Sequence, residues 1–328
     1  MRSLRGRTFI VGVVAILALT ACGNSNGSST ASGDGKALEK TTISVGVLAI
    51  ADVAALYIAD QQGFFKAEGL TVQPKILQST AVTLPQLMGG QLDFALANYF
   101  SVLSATENKA GSFRFVADTY EAKNDVFSIM VTKDSKIQTV KDLEGKKISV
   151  AAPNSIGTLA VGSTLKVAGL DPNKGVQFVP MPFPNAPAAL KSGQVDAAWL
   201  TEPFLTNVQK EFGARKIADT MTGAMADFPI AGWAATESWT KKYPNTTAAF
   251  QRAILKGQQA AAADRKAVEK VLPSYTHITP DVAAVINLGA YPTSLNAQRI
   301  QRVADLMVEY GYLKAKMDVK PLLVPLPQ

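Results

Sequence analysis

The sequence predicts an α/β protein made of two similar lobes, with mainly parallel sheets and helices on both faces. Three observations carry this. Short β-branched runs alternate with helical patterns over residues 43–97. The same order recurs over residues 148–198, with matched positions 100 to 105 residues apart. From Thr246 onward the spacing is helical, with no further β-α-β unit.

In the first unit, residues 43–48 read as a strand. Residues 54–68 read as a helix stopped at Gly69, a C-cap signal. Residues 71–77 form a second strand, 82–88 a short helix closed by Gly89-Gly90, and 92–97 a third strand. This order implies parallel strands joined by helices. In the second unit, 148–150 is the first strand and 158–168 a helix ending at Gly169-Leu170. A strand at 176–180 and a helix at 186–191 follow. Gly193-Gln194-Val195-Asp196-Ala197-Ala198 echoes Gly90-Gln91-Leu92-Asp93-Phe94-Ala95. Residues 228–235 read as a strand carrying the chain back. Residues 246–263, 265–272, 280–288 and 297–310 read as helices, the last capped by Asn296 and ended by Gly311.

The leader has its own pattern. Arg2, Arg5 and Arg7 precede an apolar run over residues 9–21, which is too short to span a bilayer core. Leu19-Thr20-Ala21-Cys22 resembles the lipobox of bacterial lipoproteins, which implies cleavage before Cys22 and lipid attachment to it. Residues 1–21 are therefore expected to be a signal peptide and 22–40 a flexible tether, since Gly, Ser, Asn and Thr dominate from Gly23 to Gly35. Cys22 is the only cysteine, so disulfides and Cys-based metal sites are excluded. The formal charge of +7 falls to +4 without the three leader arginines. The remaining basic residues are scattered, which gives no nucleic-acid signature.

Several motifs resemble one family. Tyr57-Ile58-Ala59-Asp60-Gln61-Gln62-Gly63-Phe64-Phe65-Lys66-Ala67-Glu68-Gly69-Leu70 is similar to the segment after the first strand in solute-binding proteins of ABC importers for nitrate, sulfonate and taurine. These are related to binders of pyrimidine vitamin precursors. Leu87 to Ala95, Val140 to Ile148, Ala189 to Ala198 and Glu202-Pro203-Phe204 fit the same pattern. The resemblance implies a type II periplasmic-binding-protein fold with ligand between the lobes. It places lobe one at 41–131 and 233–328, with the C-terminal helices packed on it, and lobe two at 132–232. The crossovers are expected near residues 129–132 and 230–235. The implied partners are a small-molecule ligand, an ABC permease and its ATPase. The chain is expected to be a monomer on the outer face of a bacterial cell membrane.

Parallel sheets place ligands beyond the C-terminal ends of their strands. That rule selects Ala51 and Asp52, then Ser79 and Thr80, then Asn98 and Tyr99. In the second unit it selects Ser155, Ile156, Gly157 and Thr158, then Phe183, then Glu202. Free N–H groups at the helix start near Ser155 favour an anion, although Ser155 also reads as a helix cap. Asp52 reads equally as an N-cap or a ligand contact, and Asp125 is a third acidic candidate. Tyr99, Phe183, Trp199 and Phe204 read as an aromatic wall or as core. No Arg or Lys falls on these loop ends, which suits a zwitterion or neutral heteroaromatic better than nitrate. His277 is the only histidine and stands away from these loops. With no nucleophile–base pair and no P-loop, H-E-x-x-H or G-x-S-x-G motif, the chain reads as a binder, not an enzyme, without cofactor or metal.

Overall fold

The computed structural model describes residues 37–172 and 174–327. The leader, Cys22 and most of the expected tether lie outside the described residues. The last tether residues are pinned to the fold. The Glu39 carboxylate accepts from the backbone N–H groups of Asn245 and Thr246, at 3.0 and 2.9 Å, and Lys40 pairs with Asp93. Among the described residues no helix is long and apolar enough to cross a membrane.

Among the described residues, ten strands form two five-stranded sheets. They are β1 (Thr42–Val47), β2 (Thr71–Ile76), β3 (Phe94–Asn98), β4 (Phe113–Glu121), β5 (Phe127–Val131), β6 (Lys147–Val150), β7 (Gln177–Pro180), β8 (Ala197–Thr201), β9 (Arg215–Asp219) and β10 (Pro229–Thr236). The sheet orders are β2-β1-β3-β10-β4 and β7-β6-β8-β5-β9. In the first, β1 is parallel to β2 and β3, while β10 runs antiparallel to β3 and β4. In the second, β6 is parallel to β7 and β8, while β5 runs antiparallel to β8 and β9. Each sheet thus has one reversed strand between its parallel trio and its edge strand. The likeness extends to single bonds. Asp93 accepts from Ser44 N–H and Asp196 from Lys147 N–H, both at 2.8 Å, so each clamps the neighbouring parallel strand.

Both crossings come earlier than the sequence suggests. β5 already belongs to the second sheet, so the chain leaves the first between Glu121 and Phe127. It returns between Asp219 and Pro229. β4, β5 and β9 were not expected. The expected helix at 54–68 is two, Ala54–Gln61 and Phe64–Ala67, because Gly63 adopts a left-handed φ of 74°. The expected helix at 280–288 stops at Ala283. Beyond it the amides bond outward: Asn287 N–H to Glu202, Gly289 N–H to the Tyr120 hydroxyl, and Ala290 to Glu121.

The long helix Pro244–Ala263 packs on the first sheet beside Ala54–Gln61. Its Gln251 and Gln258 side chains donate to the Val116, Asp118 and Thr119 carbonyls of β4, at 2.8 to 2.9 Å. These bonds satisfy an edge strand that would otherwise offer unpaired acceptors. The helix Ala297–Glu309 adds Arg299, which pairs with Asp118 and Glu121 of β4.

Candidate ligand-binding cleft

The C-terminal ends of β1, β2 and β3 and those of β6, β7 and β8 converge on a cavity of about 30 Å³. That is room for a water or two. The first sheet contributes Leu48, Ile50 and Asp52 past β1, Thr80 past β2, Leu96 and Asn98 of β3, and Ile230 and Ala231 of β10. The second contributes Phe127 of β5, Ala151, Ser155 and Ile156 past β6, Phe183 past β7, and Trp199 of β8. None of these lining residues is Lys, Arg or His.

One wall is aromatic. Trp199 stacks on Phe127, with centroids 5.0 Å apart and planes at 13°, and meets Phe183 at 5.8 Å. The Trp199 indole N–H donates to Thr220 Oγ1 at 3.0 Å, which leaves the ring apolar toward the cavity. Gly157 makes this packing possible. A Cβ there would stand 2.8 Å from Trp199 Cε3. The facing wall is aliphatic, from Leu48, Ile50, Leu96 and Ile230.

The polar groups are few. Asp52 lies in a short helical turn, Ala51–Val53, directly after β1, and is 2% exposed. Its Oδ1 is buried without a hydrogen-bond partner. Burial pushes its carboxyl up to about 7, opposed only by its own backbone N–H. The Asn98 side chain caps the helix Tyr99–Glu107 by accepting from Ser101 N–H at 2.8 Å. Opposite Asp52, the helix Ile156–Val167 begins at the cavity. Ser155 N–H donates to Thr158 Oγ1 at 2.9 Å, and Ser155 Oγ donates to Ala152 O at 2.8 Å. Ser155 and Thr158 thus form a capping box that takes up amides of the first turn, and the positive end of the helix dipole lies at the cavity beside Ser155 and Ile156.

Seven of the sequence-selected residues line the cavity: Asp52, Thr80, Asn98, Ser155, Ile156, Phe183 and Trp199. The others stand behind or beside it. Ala51 and Ser79 serve contacts between the two halves. Ala51 N–H donates to Glu202 O at 3.3 Å, and Ser79 Oγ donates to Ala151 O at 3.1 Å. Gly157 and Thr158 lie one step into the helix. Tyr99 is buried against Phe115. Phe204 stacks on the far side of Phe183. Asp125 pairs with Lys216 at the surface. Glu202 is buried, yet its carboxylate is occupied by Thr206 N–H, Thr206 Oγ1 and Asn287 N–H, at 3.1, 2.9 and 3.0 Å. Burial raises its carboxyl above the ordinary range, while these bonds pull the other way.

Leu48 and Leu96 fall inside the expected strands, 43–48 and 92–97, so a rule that selects loop ends passes over them. Ile50 stands beside the selected Ala51, and Ala151 lies between the expected strand 148–150 and the selected Ser155. Phe127, Ile230 and Ala231 escaped for a different reason. They sit at the starts of the two reversed strands, which reach the same end of the sheet from the opposite direction. Among the described residues, no group of three or more His, Cys, Asp or Glu could hold a metal ion.

Comparison with known proteins agrees with this architecture. The nitrate/nitrite binding protein NrtA of a Nostoc strain is 27% identical over 241 residues, which are 68% of this chain and 54% of that protein. The chain thus spans about half of that relative's length. A Bacillus subtilis protein whose name proposes that it binds aliphatic sulfonates is 26% identical across 96% of this chain and 93% of its own. Among solved structures, the alkanesulfonate-binding protein SsuA of Xanthomonas axonopodis pv. citri, bound to MOPS, superposes with a TM-score of 0.74. That match has 20% identity and covers 88% of this chain and all of the other. The matched family model covers residues 36–272, so this two-sheet chain with its interlobe cavity belongs to the NMT1-like family.

Proposed function

We propose that this chain is the extracytoplasmic solute receptor of an ABC importer. It captures a small organic solute between its two lobes and delivers it to a membrane permease driven by an ATPase. Cys22 carries a lipid that keeps the receptor at the membrane. The observation that carries the reading is the cavity itself. Its walls are drawn from the ends of both similar sheets, eight residues from the first and six from the second, and residues such as Asp52, Leu96, Phe127 and Trp199 are at most 3% exposed. At about 30 Å³ the cavity is too small for such a solute as it stands, so the lobes part to admit it and close around it less tightly than here.

The lining favours an organic solute over a bare inorganic anion. A taurine-like zwitterion matches Asp52 at one pole and the Ser155 helix start at the other. The stacked Phe127, Trp199 and Phe183 rings support a second reading, a flat heteroaromatic that donates to Asp52. Titration calorimetry and small-angle scattering with taurine, ethanesulfonate, nitrate and an aminopyrimidine test this. An organic solute is expected to bind and to compact the protein. Binding of nitrate alone overturns the organic reading, and absence of compaction with every solute overturns the receptor reading.

A further inference from the structure

We infer that Asp52 makes the site selective for solutes carrying a positively charged N–H group, and that simple anions without one are rejected. This rests on the receptor reading above and names the ligand class of the same cavity.

Asp52 lines the cavity, and its Oδ1 has no partner although the side chain is almost fully buried. A buried carboxylate oxygen left unpaired is costly unless something else comes to satisfy it. The protein offers nothing. The Tyr275 and Tyr291 hydroxyls donate to the Ile50 and Ala51 carbonyls at 3.1 and 2.9 Å, and the Tyr120 hydroxyl, which accepts from Gly289 N–H, makes no hydrogen bond to Asp52 Oδ1. All three phenols are held neutral, well above their usual range, chiefly by burial and in part by the Asp52 charge. Glu202 and Arg265 act on Tyr120 and do not shift Asp52. No basic side chain lines the cavity to neutralise the carboxylate or to receive an anion. A sulfonate or nitrate oxygen placed here meets a carboxylate, whereas an ammonium or protonated ring N–H supplies both the missing donor and the missing charge. The aromatic wall adds cation–π attraction for the same group.

Two matched pairs isolate that group. Taurine and isethionate differ by ammonium against hydroxyl, as do benzylamine and benzyl alcohol. Calorimetry at about pH 8 keeps Asp52 ionised. The amine of at least one pair is expected to bind about tenfold or more tightly than its alcohol, the effect of one hydrogen bond to a charged group. Asp52→Asn is expected to erase that difference. It is also expected to raise the melting temperature of the solute-free protein, because it removes an unpaired charge. Alcohol, ethanesulfonate or nitrate binding as tightly as the amines overturns the inference and leaves the receptor reading intact. So does amine binding that is unchanged in Asp52→Asn. A lowered melting temperature in that variant assigns Asp52 to the fold and also overturns it. If no solute of the panel binds or compacts the protein, the receptor reading falls with it.

Discussion

Gly157 and Asp52 bear on the cavity in opposite ways. Gly157 gives up a side chain so that the Trp199 ring can lie against the helix start. Gly157→Ala forces that ring to move, since a 2.8 Å contact cannot persist. Overpacking of this kind costs about 1–3 kcal/mol. The variant is expected to unfold at lower urea concentration and to show altered tryptophan fluorescence. Asp52 imposes a pH dependence. Its folded pKa, about 7, lies above its ordinary 3.8. The folded state therefore holds a proton that the unfolded state has lost, and Asp52 disfavours folding increasingly as pH rises from about 4 to about 7. The full effect is on the order of 4 kcal/mol, reached above the folded pKa. Melts of the wild type and Asp52→Asn should converge near pH 4 and separate toward pH 8. Asp52 lines the cavity past β1, a position legible in the sequence because the end of a parallel strand is a geometric address. The sequence did not reveal that Glu202 faces elsewhere. That depends on Asn287, whose amide is free to reach Glu202 only because the helix before it stops early.

At the scale of elements, Glu202 joins parts of the chain that are distant in sequence. Its carboxylate holds Asn287 N–H, and its carbonyl holds Ala51 N–H. With Ser79 and Ala151, these bonds close the rim of the cavity. Glu202→Ala leaves the Thr206 and Asn287 donors without their acceptor. It is expected to destabilise the protein by about 3 kcal/mol, by denaturant titration, and to enlarge the radius of gyration of the solute-free form. Elements of the parallel trios were legible because β1, β2, β6 and β7 are short and carry β-branched residues, while β3 and β8 follow the repeated turns Gly90-Gln91-Leu92-Asp93 and Gly193-Gln194-Val195-Asp196. β4 was not. Its Arg114, Asp118 and Thr119 break the apolar pattern of a fully packed strand. They are tolerated through partners far along the chain: Arg299 for Asp118, Glu237 for Arg114 and the Ala231 carbonyl for Thr119. The direction of β5 and β10 was equally hidden, since neither composition nor spacing records which way a strand enters a sheet.

For the whole molecule, the recurrence of one unit about a hundred residues later was the most informative signal, and it extends to the paired clamps of Asp93 and Asp196. Replacing Cys22 by Ala should release the protein into the medium without changing solute affinity, as measured by cell fractionation and calorimetry. The interleaving of strands also has a temporal side. β5 to β9 are consecutive in the chain, so the second sheet has all its strands once Asp219 has been made. The first sheet does not, because β10 is inserted between β3 and β4. During synthesis β4 must wait, with no strand beside it, until the 107 residues between Glu121 and Pro229 have passed. A nascent chain arrested at Phe228 should therefore yield a protease-resistant core from its later half, while its earlier half is still digested.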